Sequence, residues 1–431
     1  MWRRAGRTLP AYEKDLTMAD RNPVNTRAAS PASIIVIGAL DTKGAEVEFL
    51  KRQIQDRGHH TVVVDIGVLG EPTFRADITR SEVAAAAGTT LAALVEESDR
   101  GHAVTMMADG ARNVVLRLLH EGRIGAIIGM GGGAGTAIGT AAMRALPLGI
   151  PKVMVSTLAS GDVRGFVGVK DITMMPTIVD ISGLNRISRG IFARAAGAVC
   201  GMVEARVPPA DDKPLVAASM FGNTTKCVEA ARPLLEAEGY EVLVFHATGA
   251  GGETMEGIIE SGQIAGVLDV TTTEWADQYM GGVMAAGPTR LEAAARSGTP
   301  AVIAPGCLDM VCFWKPDSVP EKYRNHRIYI HNPNTTLVRT TPEENDAMGE
   351  IIAGKLNMSV GPVAVYFPLQ GLSVISSPGG PYYWPEADAA LLASLKRHLR
   401  PDITVHEFDT TINDPIFATA MARGLLQMMR K

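Results

Sequence analysis

The stretch IGAIIGMGGGAGT, residues 124–136, sets the fold class. Its first five residues are an apolar run of strand length, and a helical pattern runs from about 136 to 146. Between the two lie Gly129, Gly131, Gly132, Gly133 and Gly135, five glycines in seven residues. An apolar strand turning through bare glycines into a helix is the repeating unit of a parallel α/β sheet. Glycine admits positive φ and lets a bulky anion approach bare N–H groups, while the helix start adds unpaired donors and partial positive charge. The stretch therefore predicts a phosphate site as well as a fold.

The same rhythm continues outward on both sides. Residues 33–37 (SIIVI) and 61–66 (TVVVDI) read as strands around a helical stretch at 45–56, Ser81 is placed to cap an Ala-rich helix, and 152–155 is the next strand. Continuously apolar runs of this length suit strands buried on both faces. Residues 206–214 (RVPPADDKP) have the proline and charge content of a linker. Beyond them strands are expected at 215–219, 241–245, 264–270, 300–304, 327–330, 363–367 and 403–408. The expected architecture is two tandem Rossmann-like domains, each a mostly parallel doubly wound sheet. A flexible tail covers 1–32, a nucleotide-binding domain 33–207, and a second domain with a substrate site 214–431. No short internal repeat is visible.

Composition narrows the function classes. A chain of 431 residues exceeds one hydrophobic core, and 46% hydrophobic residues with a net charge of −5 describe a globular protein without attraction for nucleic acid or anionic membranes. Cys200, Cys227, Cys307 and Cys312 fall in no metal-ligand spacing and read as small core residues. No apolar run approaches the ~20 residues of a membrane span, and Arg3, Arg4 and Arg7 precede no signal-like apolar stretch. A cytoplasmic protein is expected.

Ligands of open parallel sheets sit beyond the carboxyl ends of the strands. Those ends carry Asp41-Thr42-Lys43 after the first strand, the glycine loop to Thr136 after the third, and Ser156, Thr157, Ser160 and Gly161 after the fourth. Lys43 would neutralise phosphate oxygens, the hydroxyls would donate, and Asp41 or Asp162 could hold Mg2+ through water. An NAD site would need an acid where Ser156 stands, and no Lys-Ser or Lys-Thr pair closes the loop as in a P-loop. The competing readings are a ligand-free turn, Asp41 or Thr42 as a helix cap, and Lys43 as a solvated charge.

A second polar cluster is expected in the later domain. His246 and the run Gly249-Ala250-Gly251-Gly252 follow one strand, Asp269 to Glu274 another, and His331 and Arg339 lie further on. Two histidines and several carboxylates suit a divalent metal or general acid–base work, although no spacing matches a zinc signature; the glycine run suits an anion, and Arg339 suits a carboxylate or phosphate clamp. Each also has a plain structural reading: Asp269 and Thr273 as caps, His331 as a core residue, and Glu343 and Glu344 as first-turn acids behind Pro342.

Taken in order, the segments at 38–43, 129–136, 150–161, 246–252, 269–274, 331–333 and 412–415 resemble those of the ATP-binding family whose plant member is the tomato mosaic virus resistance protein, uncharacterised protein family 0261. The resemblance runs from residue 33 to the end. It implies two Rossmann-like halves, ATP in the first, and a homodimer, with nucleotide contacts on Thr42, Lys43, Gly131, Gly132, Gly133, Gly135, Thr136 and the segment from Ser156 to Gly161. The expected function is an ATP-binding protein, an ATP-dependent enzyme on a small anionic metabolite with His246, Glu274, His331 and Arg339 at the chemistry. The alternative is a nucleotide-responsive binding protein without turnover.

Overall fold

A computed structural model describes residues 32–430 except 207 and 209; the expected tail lies outside them but for Ala32. Two compact units divide the chain. The first takes the described residues up to 146 with 150–163 and 172–204; the second takes 147–149, 164–171 and those from 205 onward.

In the first unit β1 (Ser33–Gly38), β2 (Thr61–Asp65), β3 (Ile124–Gly131), β4 (Lys152–Ser156) and β5 (Ile172–Pro176) form one sheet in the order β2-β1-β3-β4-β5, every neighbour parallel. The pleat sends Ile35 and Ile37 to one face and Ile34 and Val36 to the other, and all four are buried. One face meets the helices Arg100–His120 and Gly133–Ala145 through Met107, Val114 and Ile138. The other meets Leu40–Gln55 and Arg186–Glu204 through Val47, Leu50 and Phe192. Helices on both faces leave only the strand ends for a ligand. The winding reverses between β1 and β3, which opens a crevice at their carboxyl ends.

The second unit repeats that winding. Here β6 (Leu215–Met220), β7 (Glu241–His246), β8 (Ile264–Thr271), β9 (Ala301–Gly306), β13 (Val363–Pro368) and β14 (Thr404–Phe408) run in the parallel order β7-β6-β8-β9-β13-β14. Between β9 and β13 the chain forms β10 (Met310–Phe313), β11 (Ile328–Asn332) and β12 (Thr335–Arg339), an antiparallel sheet ordered β10-β12-β11.

Both sheets are mostly parallel and flanked by helices, so the doubly wound α/β class holds. Three local expectations change. The strand expected at 327–330 belongs to the antiparallel sheet, not to the parallel one. The Ala-rich helix Arg80–Ala86 is capped by Thr79 in a capping box with Glu82, not by Ser81. Neither Asp41 nor Thr42 caps its helix, whose first residue is Leu40.

Candidate functional site

The glycines after β3 enter the helix instead of preceding it. The helix begins at Gly133 with Gly132 as its cap, and no side chain covers its first turn. The N–H groups of Gly133, Ala134 and Gly135 are therefore uncapped helix donors facing the crevice. Thr136 donates its own N–H to the Gly132 carbonyl at 2.8 Å. A Cβ on Gly131 would lie 2.7 Å from the Gly135 Cα, so the loop closes tightly on itself, whereas one on Gly133 would meet nothing within 4 Å. Tight below and open above is the shape an anion needs.

The hydroxyls divide between bracing and lining. Thr136 and Ser156 are fully buried and their hydroxyl oxygens lie 2.7 Å apart, while Ser156 Oγ also accepts the Leu158 N–H at 3.0 Å. They tie the loop after β3 to the loop after β4 and are not aimed at a ligand. Thr157 is half-buried, with Oγ1 3.7 Å from where a Gly132 Cβ would stand; Ser160 and Gly161 are exposed further along the same loop. The Lys43 ammonium donates to the Ile181 carbonyl, in the loop after β5, and uses one of its three donors there.

A cavity of about 440 Å3 adjoins the amides, within the roughly 300–1,000 Å3 typical of small-molecule sites. Ala134 of the helix start lines it, as do the polar residues Asp41, Thr42, Ser98, Asp99 and Arg100, while Ile66, Val68, Leu94, Val95, Val104 and Ile138 form an apolar wall. No local pattern announces this wall, because residues 66–69 and 94–104 lie on separate connections that meet only in the fold. Asp65 holds the floor: its Oδ1 accepts the N–H groups of Leu40 at 3.0 Å and Gly67 at 2.9 Å. Burial pushes its carboxyl up from the ordinary range.

Asp41 is not arranged as a metal ligand. Its Oδ2 accepts the N–H groups of Val68 at 3.1 Å and Leu69 at 3.0 Å, and its Oδ1 is buried without a partner. Asp162 is exposed. Among the described residues no group of three or more His, Cys, Asp or Glu side chains is placed to hold a metal ion.

The second unit does not bring its four expected residues together. Glu274 is 1% exposed. Its Oε1 accepts the N–H groups of Gly249 at 2.8 Å and Gly252 at 3.1 Å, and its Oε2 accepts from Arg290 Nε at 2.7 Å. The glycine run after β7 does hold an anion, and that anion is the protein's own carboxylate. Arg290 also reaches Asp269 at 2.6 and 2.7 Å and Glu256 at 3.1 Å, so Asp269 is an ion-pair partner and not a cap. Burial pushes the Glu274 and Glu256 carboxyls up, because one guanidinium serves three carboxylates in a dry site. Arg339 is likewise enclosed. It donates to the Tyr382 carbonyl at 2.9 Å, the Thr340 hydroxyl at 2.9 Å and Asp388 at 2.6 Å. His246 is exposed at the end of the outer strand β7, beside the Phe221 ring at 5.4 Å, and His331 is exposed on β11. Neither is a core residue. Glu343 and Glu344 do sit in a first turn behind Pro342, with Glu344 closing a capping box on Thr341.

All four cysteines are buried and free, and no helix among the described residues is long and apolar enough to cross a membrane.

Comparison with known proteins gives the chain its relatives. Residues 32–208 match the N-terminal domain, and 213–429 the C-terminal domain, of an uncharacterised protein family, UPF0261. A UPF0261 protein of Clostridium tetani is 50% identical over 400 residues, covering 92% of this chain and 99% of that one. One from Rhizobium meliloti is 45% identical, covering 90% and 96%. The ToMV resistance protein Tm-1(GCR237) of Solanum lycopersicum is 34% identical across 94% of this chain and 57% of its own length. On both its halves and along nearly its whole described length, the chain belongs to the UPF0261 family.

Proposed function

We propose that this protein binds ATP in the crevice of its first unit, with the phosphates on the uncapped amides of Gly133, Ala134 and Gly135 and the base against the apolar wall. One observation carries the reading: of the two glycine-rich helix starts, that of the second unit is filled by Glu274, and that of the first is left open beside a cavity of nucleotide size. Backbone amides at a helix start are a ready anion site, and the adjoining hydrophobic wall suits a planar base. Mg2+ would travel with the triphosphate, since Asp41 Oδ2 is spent on two backbone amides and its Oδ1 is buried.

The geometry favours a nucleotide-responsive binding protein over an enzyme that works in the second unit. Glu274 and Arg339 have their charged atoms spent on buried partners, and His246 and His331 stand on different sheets. A cytoplasmic homodimer that senses a small anionic metabolite completes the proposal; light scattering tests the dimer.

Thermal unfolding with ATP, ADP, AMP, NAD and CoA tests the nucleotide. ATP at about 100 times its Kd should add about 2.7 kcal/mol of stability, with NAD giving little. No shift with any nucleotide ends the reading. Incubation with ATP, Mg2+ and a metabolite pool should release no ADP, AMP or phosphate. Turnover that is lost in His246→Ala while ATP still binds would restore the enzyme reading.

A further inference from the structure

The connection after β2 is an unusual wall for a binding cleft. Leu69 at its tip is 82% exposed, yet residues 66–69 form one side of the cavity. Apolar packing does not hold this tip in place. Polar anchors at its base do: Asp65 fixes Gly67, and Asp41 Oδ2 takes the amides of Val68 and Leu69 together. Two glycines make room for the arrangement. A Cβ on Gly67 would lie 2.7 Å from the Asp41 carboxyl carbon and from Oδ1, and a Cβ on Gly44 would collide with the Thr73 hydroxyl as the connection crosses the helix.

From these contacts we infer that Asp41 is a positioning residue for the nucleobase: it latches residues 67–69 into a wall on which the base packs, and does not bind metal or phosphate. The inference rests on the nucleotide reading above. A carboxylate that holds a hydrated cation must turn oxygens toward solvent. Here Oδ2 is spent on two amides, and Oδ1 is shut in without a partner behind Gly67. A base stacked beneath Leu69 would cover apolar surface that water now touches, so the latch decides how much of the base the cleft can bury. The phosphate end, built from the amides of residues 133–135, does not pass through Asp41 at all.

The two ends can be separated by ligand. Calorimetry with ATP and with inorganic tripolyphosphate, each with Mg2+ and with EDTA, should show both binding the unmodified protein. Asp41→Ala and Gly67→Ala are expected to weaken ATP about tenfold and to leave tripolyphosphate within about twofold, with or without Mg2+. Asp41→Asn, which keeps an oxygen for the two amides, should fall between. Hydrogen exchange should show the Val68 and Leu69 amides protected in the unmodified protein and unprotected in Asp41→Ala, with the rest of the unit unchanged. Equal loss of both ligands, or a loss that disappears in EDTA, would place Asp41 at the phosphates or the metal and overturn the inference. Unaltered ATP affinity in both alanine variants overturns it too. Should the unmodified protein bind neither ligand, the nucleotide reading itself has failed, and the role in base binding falls with it even if the exchange data show the latch.

Discussion

A Cβ on Gly133 meets nothing within 4 Å, and the first helical turn behind it has no cap. Gly133→Asp should therefore fold, and its carboxylate should settle on the amides of that turn as Glu274 settles on those of Gly249 and Gly252. An acid at a helix start contributes about 0.3–1 kcal/mol, so the melting temperature should hold or rise. ATP, having to displace a tethered anion, should lose about 100-fold or more in affinity by calorimetry. Undiminished ATP binding in a folded variant would move the phosphates elsewhere. The contrast with Glu274 also shows where single residues were legible. Glycine density marked a run of bare amides at a helix start in both units, because the need for such amides is written locally, and in the second unit they hold the Glu274 carboxylate. Whether the slot is filled depends on a side chain 22 to 25 residues away for Gly252 and Gly249, and on a guanidinium that orients it. Lys43 was placed at the correct sheet edge from its position after β1, but a flexible side chain is settled by the carbonyl it finds, here that of Ile181.

Elements were legible in proportion to their burial. β1, β3, β6 and β8 are nearly all core, and their largely apolar runs announced parallel strands. β5, at the sheet edge with Thr173 exposed, gave no such run. β10 and β12 have four and five residues, too short for a period to show, and an apolar run such as that of β11 does not say which neighbour it pairs with. The ion-pair network that closes the second unit was equally hidden, since Glu256, Asp269, Glu274 and Arg290 come from four different segments. Its weight can be measured. Glu274→Ala removes one Arg290 partner and uncovers two buried amides, and breaking a buried pair on one side costs about 3–5 kcal/mol. Denaturant unfolding should show a loss of that order, while ATP affinity per folded molecule stays unchanged. A loss below about 1 kcal/mol would mean that water replaces the carboxylate and that the slot is less dry than its burial implies.

For the molecule as a whole, burial of acids gives stability a direction with pH. Burial pushes up the carboxyls of Asp65 in the first unit and of Glu256, Glu274, Asp277, Asp309 and Asp388 in the second, Asp277 and Asp388 to about 7. Glu82, Asp99 and Asp346 shift down through bonds to the Thr79 amide, the His102 amide and the Arg397 side chain, but they lie at the surface and carry little weight. A raised carboxyl keeps its proton in the folded protein at a pH where the unfolded chain has lost it. The stability that this difference removes is absent at the acid end of the window and grows as pH climbs from about 4 to about 7. Asp388 faces the Arg339 guanidinium at 2.6 Å and keeps a partner when charged. Asp277 has no cation: Oδ1 accepts the Met284 and Cys312 amides at 3.0 and 3.2 Å, Oδ2 has no partner, and Glu274 and Cys312 lie nearby. Urea midpoints should therefore fall between pH 5 and 7, each such group adding up to about 1.4 kcal/mol per pH unit. Asp277→Asn keeps an oxygen for both amides and cannot ionise, so its profile should be flatter by one proton and cross that of the unmodified protein near neutrality. Midpoints that climb through this range, or an Asn variant with the same slope, would show that water reaches Asp277 and that the second unit's core is wetter than its packing suggests.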